Sequence, residues 1–197
     1  MLQYQGWHCW CIVGYVMDKN KEIEIESRVN QMLDEIGYQD TKDDVDLFEI
    51  ARLLGIAVGN ALLNNDDDGF IIVNEGEDEI LGIKTDKLIG VNSQRSLEWK
   101  RFIIAHEIAH YILHYSKEID KGIYAHREHK KGKDEIENEA DFFAANLLMP
   151  RARFVSKFNE LKDKGLSMDE ICLLLEKKFI VTPKMLRRRI GELELNG

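Results

Sequence analysis

Cysteine and proline are scarce in this 197-residue chain, with three of the first and two of the second. Each shortage removes a class of protein. Cys9, Cys11 and Cys172 are odd in number and form no C-x-x-C pair, which excludes a disulfide framework and a cysteine zinc knuckle and points to a reducing cytosol. So few prolines, with no low-complexity tract, exclude long disordered linkers, and no internal repeat is present. The uncharged opening MLQYQGWHCWCIVGYVM lacks a basic n-region and a small-residue cleavage site and is too short to span a bilayer comfortably. Residues 1–16 are therefore expected to be a loosely attached tail, with Met17, which precedes a charged, helix-like segment, as the natural start.

What the chain does have is charge, 32% of its residues, beside 44% hydrophobic residues to build a core. The net charge of −9 disfavours general nucleic-acid affinity, but its spread is uneven. Residues 151–197 hold 11 Lys and Arg against 7 Asp and Glu, so the last quarter is basic on an acidic protein.

Hydrophobic periodicity gives an α+β chain. Val29, Met32, Leu33 and Ile36 repeat at helical spacing up to Gly37, and Leu47, Ile50, Ala51 and Leu54 do so between the cap pair Asp46/Glu49 and Gly55. The period then changes: Ile56 and Val58 alternate with small residues, GFIIV at 69–73 is β-branched, and ILGI and LIGV follow, which predicts a small antiparallel sheet of three or four strands. Leu97, Trp99, Phe102, Ala105, Ala109, Ile112 and Leu113 restore the helical period. A polar stretch from Ser116 to Lys133 leads to a further helix with Ala140, Ala144, Leu147 and Leu148 on one face, ended by Pro150. Three short helices follow: Phe154–Lys162; Ser167–Glu176, with a Ser167/Glu170 capping box; and one opened by Thr182 and Pro183. The expected organisation is a tail at 1–16, a main domain at 17–150 and a small helical, helix-turn-helix-like appendage at 151–197.

The chemistry centres on RFIIAHEIAHYILH, residues 101–114. Residues four apart share a helix face, so His106 and His110 can aim two ring nitrogens at one ion. The rival reading is a core helix whose histidines are hydrogen-bonded. A third donor is offered 27 residues beyond His110 by Glu137, on the face that carries Ala140, Ala144 and Leu148. Small side chains let two helices approach closely enough for a short carboxylate to reach across. Glu139 points with Phe142, Phe143 and Asn146 and is the weaker candidate, while the spacing of Asp134 and Glu137 would also suit a helix cap. Three protein ligands leave a fourth position for water, the arrangement of a catalytic zinc site, with Glu107 placed to accept a proton. Asp141, one turn past Glu137, is placed to orient a ligand histidine or simply to face solvent.

IGVNSQRSLEWKRFIIAHEIAHYILH and, beyond a variable loop, EIENEADFFAANLLMP resemble the ImmA/IrrE family of metallopeptidases, which are similar to gluzincin proteases. The entry helix ending in LLGIAV and the tail FIVTPKMLRRRIGELEL extend the resemblance from about Glu22 to the end of the chain; the first 16 residues have no counterpart. The resemblance implies zinc on His106, His110 and Glu137, and a helix-turn-helix repressor protein as the substrate whose cleavage releases mobile-element or stress-response genes. Manganese or another divalent ion would also suit two histidines and a carboxylate.

Other signals are weaker. NNDDDGFIIVNE at 64–75 nearly fits a calcium loop, but its flanks are strand-like, so a solvated acidic hairpin turn is expected. His114 lies about 80° around an α-helix from His106, outside a first coordination shell. His114, Tyr115, Tyr111, Tyr124, His126 and His129 are candidates for supporting the ligands or stabilising an oxyanion. Lys184, Arg187 and Arg188 fit a solvated basic face better than a DNA-reading helix, since no amide or aromatic residue accompanies them; docking of a protein partner is a third use. The segment Ile89, Gly90, Val91 and Asn92 is expected to be an edge strand that takes up substrate by strand addition. A catalytically silent metal-binding module and a DNA-binding regulator are the alternatives to a protease, and nothing in the chain sets an oligomeric state.

Overall fold

A computed structural model describes residues 17–39, 44–115, 123–127 and 135–195. The tail at 1–16, His129 and Asp134 lie outside them. Helix α1 (Lys19–Glu35) starts where the Asp18 side chain accepts the Asn20 N–H, and ends at Gly37, whose φ of 66° suits a residue without a Cβ. Helix α2 (Leu47–Leu53) is capped by Asp46, which accepts the Glu49 N–H. Strands β1 (Ala57–Ala61), β2 (Gly69–Ile80) and β3 (Ile83–Asn92) follow, then α3 (Leu97–Ala109), β4 (Ile123–Arg127) and α4 (Glu135–Leu148). The chain closes with α5 (Arg151–Asp163), α6 (Met168–Phe179) and α7 (Pro183–Glu192). The fold is thus α+β, with a helical C-terminal part.

The sheet departs from the expected one in three respects. Its order is β1-β3-β2-β4, and β1 runs parallel to β3 while the other pairs are antiparallel, so the sheet is mixed. Alternation along a strand is the same whichever way its neighbour runs, which is why sequence gave no sign of this. ILGI is not a strand: Ile80 pairs with Ile83, and Leu81 and Gly82, at φ 52° and 75°, make the two-residue turn of the β2–β3 hairpin. β4 emerges from the stretch read as polar loop.

The edge-strand expectation for Ile89, Gly90, Val91 and Asn92 is corrected. They belong to β3, which is flanked on both sides by β1 and β2. The run Leu88–Asn92 is buried throughout, as an interior strand requires. The 64–68 loop is likewise no hairpin turn, because it crosses from β1 to β2 with β3 between them. Asn92 Nδ2 donates to the carbonyls of Asn64 (3.2 Å) and Asp67 (2.8 Å), and Asp68 is paired with Arg95. Those oxygens serve the fold.

One continuous hydrophobic core joins both parts of the chain: Ile71, Ile89 and Phe102 pack in the same cluster as Phe154, Phe158, Phe179 and Leu186. A buried Arg189 fastens α7 to α4, donating from Nε to the Met149 carbonyl at 3.1 Å and from Nη2 to Asn146 Oδ1 at 2.7 Å. Burial pulls its pKa below the ordinary guanidinium value, against Glu192, which raises it. The cap pairs at Ser167/Glu170 and at Thr182 with Pro183 set the starts of α6 and α7. No helix among the described residues is long and apolar enough to cross a membrane.

Arg189→Met keeps most of the side-chain volume but strands two buried acceptors. It is expected to cost about 3 kcal/mol of stability, read from urea unfolding. A midpoint equal to the parent's would contradict the role given to this residue.

Candidate metal centre

Helix α3 is capped by Ser96, which accepts the Trp99 N–H at 3.3 Å, and it carries His106 and Glu107 into the interior, with His110 directly after its last residue, all three buried. The imidazoles of His106 and His110 stand one turn apart with ring centroids separated by 4.7 Å. Helix α4 packs on α3 and presents Glu137 from its first turn. Ala140 and Ala144, on Glu137's face, are wholly buried, as are Ala105 and Ala109 beside the histidines. These small side chains allow the close approach that a carboxylate needs to reach two imidazoles.

The resulting geometry is compact. His106 Nε2 is 3.3 Å from one Glu137 oxygen, His110 Nε2 is 3.4 Å from the other, and the two ring nitrogens are 2.9 Å apart. Donors bonded at about 2.0–2.1 Å to a tetrahedral ion stand roughly 3.3 Å from one another. His106 Nδ1 lies 3.1 Å from Asp141 Oδ1, so an Nδ1–H donated there leaves the Nε2 lone pair turned towards His110 and Glu137. Electron-rich atoms converging in a buried place fit a cation. Among the described residues, His106, His110 and Glu137 form a group that could hold a metal ion.

Glu107 sits beside this group on α3, opposite the start of β2. A Cβ built on Gly69 would come within 2.3 Å of Ile103 Cγ2 and 3.8 Å of Glu107 Oε1. Glycine at 69 is therefore what lets the strand lie against α3 at the level of Glu107.

The α-helix does not continue unchanged past Ala109. His110–His114 form a π turn in which the Tyr115 N–H bonds to the His110 carbonyl, five residues back. His114 lies four residues beyond His110, with ring centroids 5.5 Å apart against 4.7 Å for His106 and His110. His114 is buried, with Nε2 3.9 Å from Glu139, and it is not among the three converging ligand residues. Glu139 also faces Lys21 of α1 at 3.4 Å. Burial lowers the Lys21 pKa, but Glu139 and Glu24 outweigh it and hold the ammonium above its ordinary value. Tyr115 stacks on Tyr111, whose hydroxyl is 3.5 Å from Lys87 Nζ. The side chains of Tyr124 and His126, on β4, lie outside the described residues.

Sequence reasoning missed Gly69 and Lys21, and it read Arg188 as part of a basic face and not as a neighbour of Asp141, from which it lies 3.9 Å. A glycine opening a β-branched run was the one available signal, for close backbone approach. Nothing local announces a partner 118 or 47 residues away.

Gly69→Ala is expected to destabilise the protein by about 1–3 kcal/mol through overpacking and to displace Glu107. Thermal unfolding reads the first effect; a melting curve identical to the parent's would show that the strand can withdraw without cost.

Comparison with known proteins adds the following. Residues 51–191 match the family model described as Peptidase_M78, IrrE N-terminal-like domain. No curated protein matches the chain. Eight chains of solved structures match. One is a Mycobacterium tuberculosis transcriptional regulator, 18% identical with a TM-score of 0.50, in an alignment covering 86% of this chain and 46% of that one. At that identity the likeness is one of fold, and the chain spans about half the length of that protein.

Proposed function

The chain belongs to the IrrE N-terminal-like family of peptidases, and from that membership we propose that it is a zinc-dependent endopeptidase. Its substrate in this proposal is a partner helix-turn-helix repressor, whose cleavage derepresses mobile-element or stress-response genes in the cytoplasm. The observation that carries the proposal is the convergence of His106, His110 and Glu137 from two helices, with Glu107 adjoining. A divalent ion held there would supply Lewis acidity and lower the pKa of a bound water to about 7. Zinc is the ion preferred for two imidazoles and one carboxylate, with manganese or another divalent ion as the alternative.

The roles of the chain's own residues follow from their places. Asp141 accepts from His106 Nδ1 and so fixes both tautomer and ring orientation. Glu107, buried and backed by Gly69, is the general base that takes the proton from the attacking water. Substrate uptake by strand addition passes from the interior β3 to an edge of the sheet. The backbone of β4 is the favoured edge, because its Arg127 pairs with Phe70, next to the Gly69 that faces Glu107. Tyr115 and His114 remain proposals for support around the site, without a place in the ligand set.

Direct DNA binding is the less favoured use of α7. Of its four basic residues only Lys184 and Arg187 are exposed; Arg188 turns towards Asp141 and Arg189 is buried. Two exposed charges give few phosphate contacts.

Glu107→Gln tests the mechanism. The variant is expected to bind zinc as the parent does and to cleave a helix-turn-helix repressor substrate at least about 100-fold more slowly, measured by incubating each zinc-loaded protein with candidate repressors of the same genome. Cleavage by the variant at the parent's rate would remove Glu107 from the role of base.

A further inference from the structure

The C-terminal helix reaches the metal centre. Asp141 is wholly buried, and its two oxygens look in opposite directions: Oδ1 towards His106 Nδ1 at 3.1 Å, Oδ2 towards Arg188 Nη1 of α7 at 3.9 Å. Arg188 is itself braced, since its Nε donates to Glu192 Oε1 at 2.8 Å. Glu192 also receives Nη1 of Arg189 at 3.3 Å, and Arg189 is bonded to Asn146 and Met149 of the helix-end region that carries Asp141. The height of α7 against α4 is thereby fixed, and with it the position of the Arg188 guanidinium. Arg188 lines a small cleft with Phe102, Ala145, Leu148, Met149 and Met185, and the Phe102 ring lies 5.8 Å from the His106 ring.

We propose that Arg188 is a positioning residue for the metal centre, holding the Asp141 carboxylate oriented so that His106 presents Nε2 to the ion. A carboxylate buried without a cation is costly and turns to whatever donor it can find. The guanidinium, at ion-pair distance from Oδ2, offsets part of that cost and leaves Oδ1 to the imidazole. The residues that orient a ligand histidine typically govern 10- to 100-fold of metal affinity, by order of magnitude. The inference rests on the metal site proposed above, and it makes the helical C-terminal part a contributor to that site.

The test is zinc affinity, measured by competition with a chromophoric chelator at fixed pH on the full chain, together with the urea midpoint of the zinc-free protein. Arg188→Met and Arg188→Gln are each expected to weaken zinc binding by about 10-fold, and Arg188→Lys to restore part of the loss. In an Asp141→Asn background, Arg188→Met is expected to add nothing, because its route to the ligand is already gone. Zinc affinity equal to the parent's in both charge-removing variants, with or without a lowered unfolding midpoint, would give Arg188 a packing role only and overturn the proposal. An undiminished 10-fold loss in the Asp141→Asn background would overturn it as well. A parent protein that takes up no zinc would instead strike down the metal site itself, and this inference with it.

Discussion

The packing of α3 on α4 is the contact on which everything else depends. A carboxylate on one helix can meet two imidazoles on another only if the two backbones come close, and bulky side chains at the interface would hold them apart. Ala140 and Ala144 remove that obstacle on the face that bears Glu137. The outcome is a set of donor separations of 2.9–3.4 Å, close to what a tetrahedral ion imposes on its ligands. Cost and function are linked here: gathering two buried imidazoles and a largely buried acid is unfavourable without a counter-charge, and a cation would supply it.

Around that contact the fold adds supports from several parts of the chain. Gly69 brings the sheet against Glu107. Asp141, one turn beyond Glu137, takes the far nitrogen of His106. Arg188 and Arg189 tie α7 into the same region, and Lys21 of α1 faces Glu139, which in turn lies beside His114. The core has no seam between the sheet-bearing part and α5–α7, so strain at the C-terminal helices has a physical path to the ligand residues.

Local features were readable from the residues alone, because their causes are local. Caps at Asp46, Ser167 and Thr182 sit where side-chain oxygens accept backbone N–H groups within three residues. The pairing of His106 with His110 follows from helical spacing, and the nearness of Glu137 follows from the alanine face it shares. What could not be read depends on contacts distant in sequence or on choices with equal local cost. Strand order and the parallel run of β1 leave no trace in alternation. β4 lies in residues whose polarity looked like loop. The π turn at His110 replaces an α turn without any glycine or proline to mark it. Arg188 looked like one more solvated charge until Asp141 was seen across from it.

The central claim is that two imidazoles of α3 and the carboxylate of α4 bind one ion together. X-ray absorption at the zinc edge of the zinc-loaded protein tests it most directly. The account predicts two imidazole nitrogens with oxygen donors, all at about 2.0–2.1 Å, and the imidazole signal reduced by half in His110→Ala. A spectrum with no imidazole scattering, or one unchanged by that substitution, would contradict it.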